Sequence, residues 1–236
     1  MATTDLVVIG AGPGGLAAAV TAAQAGLQVV LVDERPVPGG QYLGSLLSPA
    51  TATEREGQAL IELEAGLDDI RRSPVDAGRV QRIARRPATG EREVVDTATL
   101  DAELGVVGDG WVHRGSKRMP DGSSDPEAQV TIMNSRVAAL LSDGPIGWEV
   151  AGDQIYVDLD LSMGNLPPGT RLRVGTATVE VSAVPHRGCV QFSARFGPDA
   201  LRFASTPSGL ELRLRGVNTR IVESGIVRTG DLVSKI

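Results

Sequence analysis

The hydrophobic positions change rhythm along the chain, and the changes predict its elements. Asp5-Leu-Val-Val-Ile9 is a β-branched apolar run that predicts a buried strand. It leads into Gly10-Ala-Gly12-Pro-Gly14-Gly15 and an Ala-rich helix to about Ala25, which Gly26 ends. Gln28-Val-Val-Leu-Val32 predicts a second strand, with Asp33 at its end. Glu54 to Arg72 has helical spacing, with Leu60, Leu63, Leu67 and Ile70 on one face, and Ser73-Pro74 stops it.

From Arg79 onward the period shortens to that of strands. Val80, Ile83 and Val94-Val95 mark short strands around a turn at Thr89-Gly90. Gln154–Leu161, Thr176–Ser182 and Leu210–Arg215 alternate apolar and polar residues, which predicts three more. Pro167-Pro168-Gly169 fits a type II turn, with Gly169 supplying the positive φ. Asn134 to Leu141 is the convincing helix of this part, with Val137, Leu140 and Leu141 as its apolar face. The small, polar Ser48–Thr53 stretch reads as a linker. The pattern therefore predicts an α+β chain. Residues 1–51 form a βαβ Rossmann-type fragment, and residues 52–236 form a mainly β, barrel-like domain with a leading helix at about 54–72.

Composition narrows the function classes. A net charge of −6 argues against nucleic acid as a partner, because phosphate binding wants a basic face. Met1-Ala-Thr-Thr-Asp5 has no basic start, and Gly, Asp or Arg interrupts every apolar run before a bilayer span is reached. A cytoplasmic protein without a membrane segment is expected. Cys189 is the lone cysteine, so no internal disulfide can form and any thiol chemistry has one owner.

The first fifty residues hold a nucleotide-binding pattern in its required context of strand, glycine turn, helix, strand and acidic residue. Gly10 permits the tight turn, Gly12 admits a pyrophosphate to the backbone, and Gly15 allows close helix–strand packing. Asp33 would accept hydrogen bonds from ribose hydroxyls. Together with Pro38-Gly39-Gly40-Gln41, this segment resembles the FAD-binding start of two-dinucleotide-domain flavoprotein oxidoreductases. The resemblance places Gln41 near the flavin ribityl and phosphates. It ends at about Ser48, and two strands with one helix bury too little surface to fold alone. Two readings stay open: a vestigial or fused fragment, or a real flavin site that a partner flavoprotein subunit completes.

A second resemblance covers roughly Leu60 to Ile236. It is carried by Gly105-Val-Val-Gly108-Asp109-Gly110-Trp111, Gly152-Asp153-Gln154, Asn165-Leu166-Pro-Pro-Gly169, Val184-Pro-His186-Arg187-Gly188-Cys189, Arg195-Phe196-Gly197, Arg215-Gly216-Val-Asn218 and Arg228-Thr-Gly230-Asp231. Together these resemble a small bacterial MOSC protein, related to the C-terminal domain of molybdenum cofactor sulfurases. The resemblance implies a molybdenum cofactor site or a sulfur carrier in which Cys189 ligates the metal or holds the sulfur. It also implies a version acting as an oxidoreductase on N-hydroxylated compounds with electrons from a redox partner. The Gly-Glu-Asn-Leu segment of better-studied members stands here as Met163-Gly164-Asn165-Leu166, which makes Asn165 a cofactor-binding candidate by resemblance.

Thiolate suits a soft metal. Arg187 and His186, with Arg195, could lower the pKa of Cys189. An anionic pterin would need cations that bind phosphate bidentately, and Arg114, Arg187 and Arg195 are the candidates. His186 reads more readily as a loop hydrogen-bonder than as a ligand. Asp158 and Asp160 share one strand face, and turn-binding suits them better than metal. Trp111 and His113 either line a pocket mouth or divide into core and solvent. A second Cys, a His-x-x-x-His pair and a nucleophile elbow are all lacking, which disfavours zinc sites and serine hydrolases.

Overall fold

Among the described residues, two parallel strands and one helix make up the first of two units. The structure, a computed structural model, describes residues 4–9, 13–32, 60–142 and 147–236. The chain divides into Met1–Ala59 and Leu60–Ile236. In the first unit β1 (Leu6–Ile9) pairs in parallel with β2 (Val29–Val32), from Leu6 opposite Val29 to Ile9 opposite Val32. The helix Pro13–Gln24 joins them. Pro13 suits a first turn, where its missing N–H would have no partner anyway. Gly26 at φ 85° lets its own amide and that of Leu27 return to the Ala23 and Ala22 carbonyls, at 3.0 and 3.1 Å.

Leu6, Val8 and Val29 are half-buried, whereas Val7, Val30 and Val32 are exposed. One sheet face is therefore open within this unit, which is the shortfall of buried surface that two strands imply. Gly15 lies in the helix's first turn. Gly10, Gly12, Asp33 and Gln41 lie outside the described residues.

The second unit is built on a closed barrel. Its strands are β3 (Ala77–Arg85), β7 (Val130–Asn134), β8 (Ile155–Asp158), β9 (Arg171–Val174), β10 (Ala177–Val181), β11 (Val217–Glu223) and β13 (Leu232–Lys235). The hydrogen-bonded order is β13-β9-β10-β11-β7-β8-β3, and β3 returns to β13. Closure removes the free edges that an open sheet would carry. At nine residues, β3 is long enough to pair with β13, with β8 and, beyond the ring, with β4 (Glu93–Val95). A small sheet of β5 (Thr97–Asp101), β6 (Gly105–Val106) and β12 (Gly225–Arg228) accompanies the barrel. The expected α+β class is what the chain adopts.

The parallel pair β7–β8 organises the interior. A parallel pair needs a crossover, which the helix Ser135–Ser142 provides. Ile132, Ile155 and Val157 point into the barrel core, while Met133 and Tyr156 join a second core under the helices. Both faces are buried, so Val-Thr-Ile-Met-Asn shows no alternation. The leading helix expected at about 54–72 is described from Leu60 only; it is helical to Ala65, is interrupted at Gly66 and resumes as Leu67–Arg71, and this pair of turns docks on that second core. Ile70 is buried there, Leu60, Leu63 and Leu67 pack against it, and Gly66 makes room for the Leu140 side chain.

One predicted strand is not formed. Leu210–Arg215 alternates in sequence, yet Pro207–Glu211 is a helix and the chain then turns. Thr206 caps it, accepting the Gly209 amide at 2.9 Å, and Pro207 fills the first turn. Capping chemistry overrides a period-two pattern that has only Leu214 fully buried and Leu210 exposed. Among the described residues no helix is long and apolar enough to cross a membrane.

Gly216 sits at φ 96°, and a Cβ there would stand 2.3 Å from the Ile132 carbonyl oxygen. Gly216→Ala is expected to destabilise the barrel by at least about 2 kcal/mol, read from urea unfolding midpoints.

Candidate functional site

The loop between β10 and the helix Val190–Phe196 is shaped by short-range polar contacts. Ser182 folds it locally, its Oγ accepting the Val184 amide at 2.9 Å. Asn218 on β11 pins it. Its backbone carbonyl accepts from the Ser182 amide at 2.9 Å, and its side-chain amide donates to the Val184 carbonyl at 3.1 Å. The loop then reaches Cys189, whose extended backbone precedes the helix and leaves the residue exposed.

A cavity of about 550 Å³ lies against this loop, with His186, Arg187, Arg213, Arg215 and Asn218 in its wall. Cys189 is one residue beyond Gly188, the last loop residue in that wall. Below the cavity lies a buried ion pair. Asp153, fully buried, accepts from Arg215 Nη1 at 2.5 Å, and Arg215 Nη2 donates to the Ala151 carbonyl at 3.0 Å. The Arg215 guanidinium also stacks 5.0 Å from the Phe192 ring centroid. One side chain thus ties β8, β11 and the helix that starts after Cys189 to the same point.

Three polar atoms of this cluster have no hydrogen-bond partner among the described residues: Asp153 Oδ1, His186 Nδ1 and Arg215 Nε. Nδ1 and Oδ1 stand 3.4 Å apart, which is long for a hydrogen bond. Burial first, and Arg215 second, push the His186 imidazole down to about 3, against the opposing pull of Asp153. His186 is therefore neutral in the folded chain, and its contact with Asp153 is not an ion pair. Arg213, at φ 49°, donates to the Leu166 carbonyl at 2.6 Å, and burial lowers its pKa. Arg187 is exposed and has no carboxylate partner among the described residues. The cavity wall is thus cationic overall.

The other candidates go elsewhere. Arg114 and Arg195 do not line the cavity, and Arg195 Nη1 donates to the Val150 carbonyl at 3.0 Å. Asn165 is used in fastening: it donates to the Val75 and Asp160 carbonyls at 2.8 and 2.7 Å and accepts from Lys235 at 2.9 Å. Asp158 pairs with Arg136, while Asp160 closes a turn by accepting from the Ser162 amide and hydroxyl. Trp111 is buried and His113 exposed. No group of three His, Cys, Asp or Glu that could hold a metal ion occurs among the described residues. Sequence reasoning misses Arg213 as a site residue, because it lies in the stretch read as a strand. The spacing Arg215-Gly-Val-Asn218 was the available signal for its neighbours.

Comparisons with known proteins find flavoprotein relatives and a fold neighbour of the barrel unit. A family model described as FAD dependent oxidoreductase matches residues 5–113. The alpha chain of sarcosine oxidase from Rhizobium meliloti is 44% identical over 86 residues, covering 36% of this chain and 8% of that one. An opine oxidase subunit of Agrobacterium tumefaciens is 62% identical over 175 residues, covering 65% of this chain and 33% of that one. The chain thus spans a third or less of the length of these relatives. The YuaD protein of Bacillus subtilis superimposes with a TM-score of 0.50 at 19% identity, covering 66% of this chain and 94% of that one. The barrel unit therefore has a known fold.

Two outcomes test this geometry. Asp153→Asn leaves the buried Arg215 without its counter-charge and is expected to cost about 3–5 kcal/mol of stability, measured by chemical denaturation. The unfolded chain takes up a proton on His186 below about pH 6.5, whereas the folded chain resists protonation until about pH 3. Stability is therefore expected to fall as pH drops through that window, by up to about 1.4 kcal/mol per pH unit. His186→Gln should flatten the dependence of the urea midpoint between about pH 6.5 and pH 4 by roughly one proton.

Proposed function

We propose that the barrel unit binds the molybdenum cofactor implied by its MOSC resemblance, with Cys189 as the thiolate ligand of the metal. The carrying observation is a cationic cavity whose wall runs along the loop to Gly188, one residue before the exposed thiol of Cys189. The residues fit such a group. Arg187, exposed in the wall and without a carboxylate partner among the described residues, offers its fork to an anionic substituent, and neutral His186 offers a hydrogen-bonding nitrogen without adding charge. Asn218 holds the loop, and Arg215 holds Phe192 and so the start of the helix after Cys189. When bound, the group supplies two-electron redox chemistry at the metal. The protein's part is to seat it, exclude bulk water from its buried side and present the soft sulfur ligand. The substrate class that the resemblance implies is N-hydroxylated compounds, with electrons from a separate redox partner.

The test is molybdenum content per chain, after expression in a host that makes the cofactor. Wild type is expected to carry close to one metal per chain, and Cys189→Ser at least tenfold less. Equal loading of both forms would overturn the ligand role. A metal-free wild type with a persulfide on Cys189 would move the unit to sulfur transfer.

A second reading rests on the family match over residues 5–113 and on the relatives that are oxidase components. In it, the chain belongs to a flavin-dependent oxidoreductase whose FAD site is completed by a partner polypeptide. The chain purified with that partner is expected to be yellow, and Gly12→Val to remove the colour. A colourless complex of wild-type chain would exclude this reading.

A further inference from the structure

The two ring nitrogens of His186 have different surroundings. Nδ1 is buried and faces Asp153 Oδ1 at 3.4 Å, and neither atom has a hydrogen-bond partner among the described residues. Asp153 is fully buried, and its other oxygen, Oδ2, is taken by Arg215. In that ion pair Asp153 is a carboxylate, so Oδ1 can only accept. A bare Nδ1 would set one buried acceptor against another and leave both uncompensated. The ring, kept neutral first of all by burial, has one proton to place. That proton belongs on Nδ1, where it points at Oδ1. A contact of 3.4 Å is the length such bonds often have before a ligand closes the site.

The other edge of the ring is then an acceptor. The bond directions of the two imidazole nitrogens diverge widely, so Nε2 points away from the buried carboxylate. His186 keeps 17% of its side chain exposed although Nδ1 is buried, and it lines the cavity of about 550 Å³. No hydrogen bond to Nε2 occurs among the described residues. Arg187 stands next to it in the same wall, exposed and without a carboxylate partner among the described residues. Met163, Pro168, Val184 and Leu210 add apolar surface to that wall.

We propose that His186 Nε2 is the specificity-determining acceptor of the cavity, held bare by Asp153 as its positioning residue, and that the cavity selects a small anion carrying an N–H or O–H donor. Arg187 takes the anionic end, the apolar wall covers the body, and Nε2 accepts from the donor. The opposite tautomer or an imidazolium would present a donor instead, and would favour a carbonyl or a second anionic group. A ligand without the donor leaves Nε2 desolvated and unpaired, and that penalty is what discriminates. The inference rests on the reading of this cavity as the ligand site, but not on molybdenum.

The experiment is nuclear magnetic resonance of the metal-free full chain, with histidine labelled in the heavy nitrogen isotope. The chain has two histidines, so replacing the exposed one, His113→Gln, leaves His186 as the one imidazole. Expected at about pH 7 are a protonated, pyrrole-like Nδ1 and a pyridine-like Nε2. A protonated Nε2 would overturn the proposal. In Asp153→Asn the amide oxygen stays on Arg215 and the amide NH2 turns to the ring, so the tautomer should reverse. An unchanged spectrum of the folded variant would remove the positioning role of Asp153; if the variant does not fold, the wild-type spectrum and the following titration decide. Wild type is titrated with 4-hydroxybenzoate and 4-methoxybenzoate, which differ in one O–H donor. The hydroxyl probe is expected to bind about tenfold more tightly and to move the Nε2 signal, and His186→Phe to lose that preference. Equal affinity for the two probes, or binding of neither, would overturn the selectivity. Molybdenum enters none of these measurements. The expected tautomer in a chain that never loads metal would sink the molybdenum reading alone, and the opposite tautomer in a chain that does load it would sink this one alone.

Discussion

The barrel unit depends on one buried ion pair. Asp153 is fully buried, and Arg215 is its charged partner among the described residues. Burying either charge alone would be costly, so the two must be brought together by folding, and they come from positions 62 residues apart. Their meeting fixes the start of β8 against the segment entering β11. Through the stack of Arg215 on Phe192 it also fixes the helix that follows Cys189. The floor of the cavity and the place of the one thiol follow from that contact.

A second buried pair, Arg86 with Asp109, works alongside it. Asp109 also accepts the Trp111 amide at 2.9 Å, and Arg86 also donates to the Gly152 carbonyl. The turn from Trp148 to Asp153 is thus held by arginines from two directions. Such pairs add little net stability compared with apolar packing, but they select one arrangement, because any slip strands a charge.

The two units are different kinds of object. The first has strand pairing and a capped helix, yet leaves an apolar sheet face exposed. The second closes its sheet into a ring and fills both sides of β7 and β8. The flavoprotein family match begins in the first and runs into the second. The fold likeness to YuaD speaks for the barrel alone. Any flavin chemistry therefore calls on polypeptide beyond the βαβ unit, whereas the cationic cavity is complete within one unit.

Local rules made much of this legible in advance. The βαβ unit, the apolar face of Leu60, Leu63, Leu67 and Ile70, the helix after Asn134 and the turn at Gly169 all rest on contacts between near neighbours, whereas the interruption of the leading helix at Gly66 was not read. Gly169 has φ 87° and Thr170 donates to Pro167, as the Pro-Pro-Gly pattern demands. The stretch Leu210–Arg215 failed for the same reason: its alternation was local, and so was the stronger capping by Thr206 and Pro207.

By itself the sequence determined the α+β class, the lone thiol and the periodic faces, since composition and near-neighbour spacing decide those. Tertiary structure alone decided which arginines share a site. It separated Arg187, at the cavity, from Arg114 and Arg195, which do not line it, and spent Asn165 on fastening loops. It also paired Asp153 with Arg215 and buried His186 beside them, and that burial above all keeps His186 neutral. Charge and burial act through space, and barrel closure joins residues that no spacing in the chain relates.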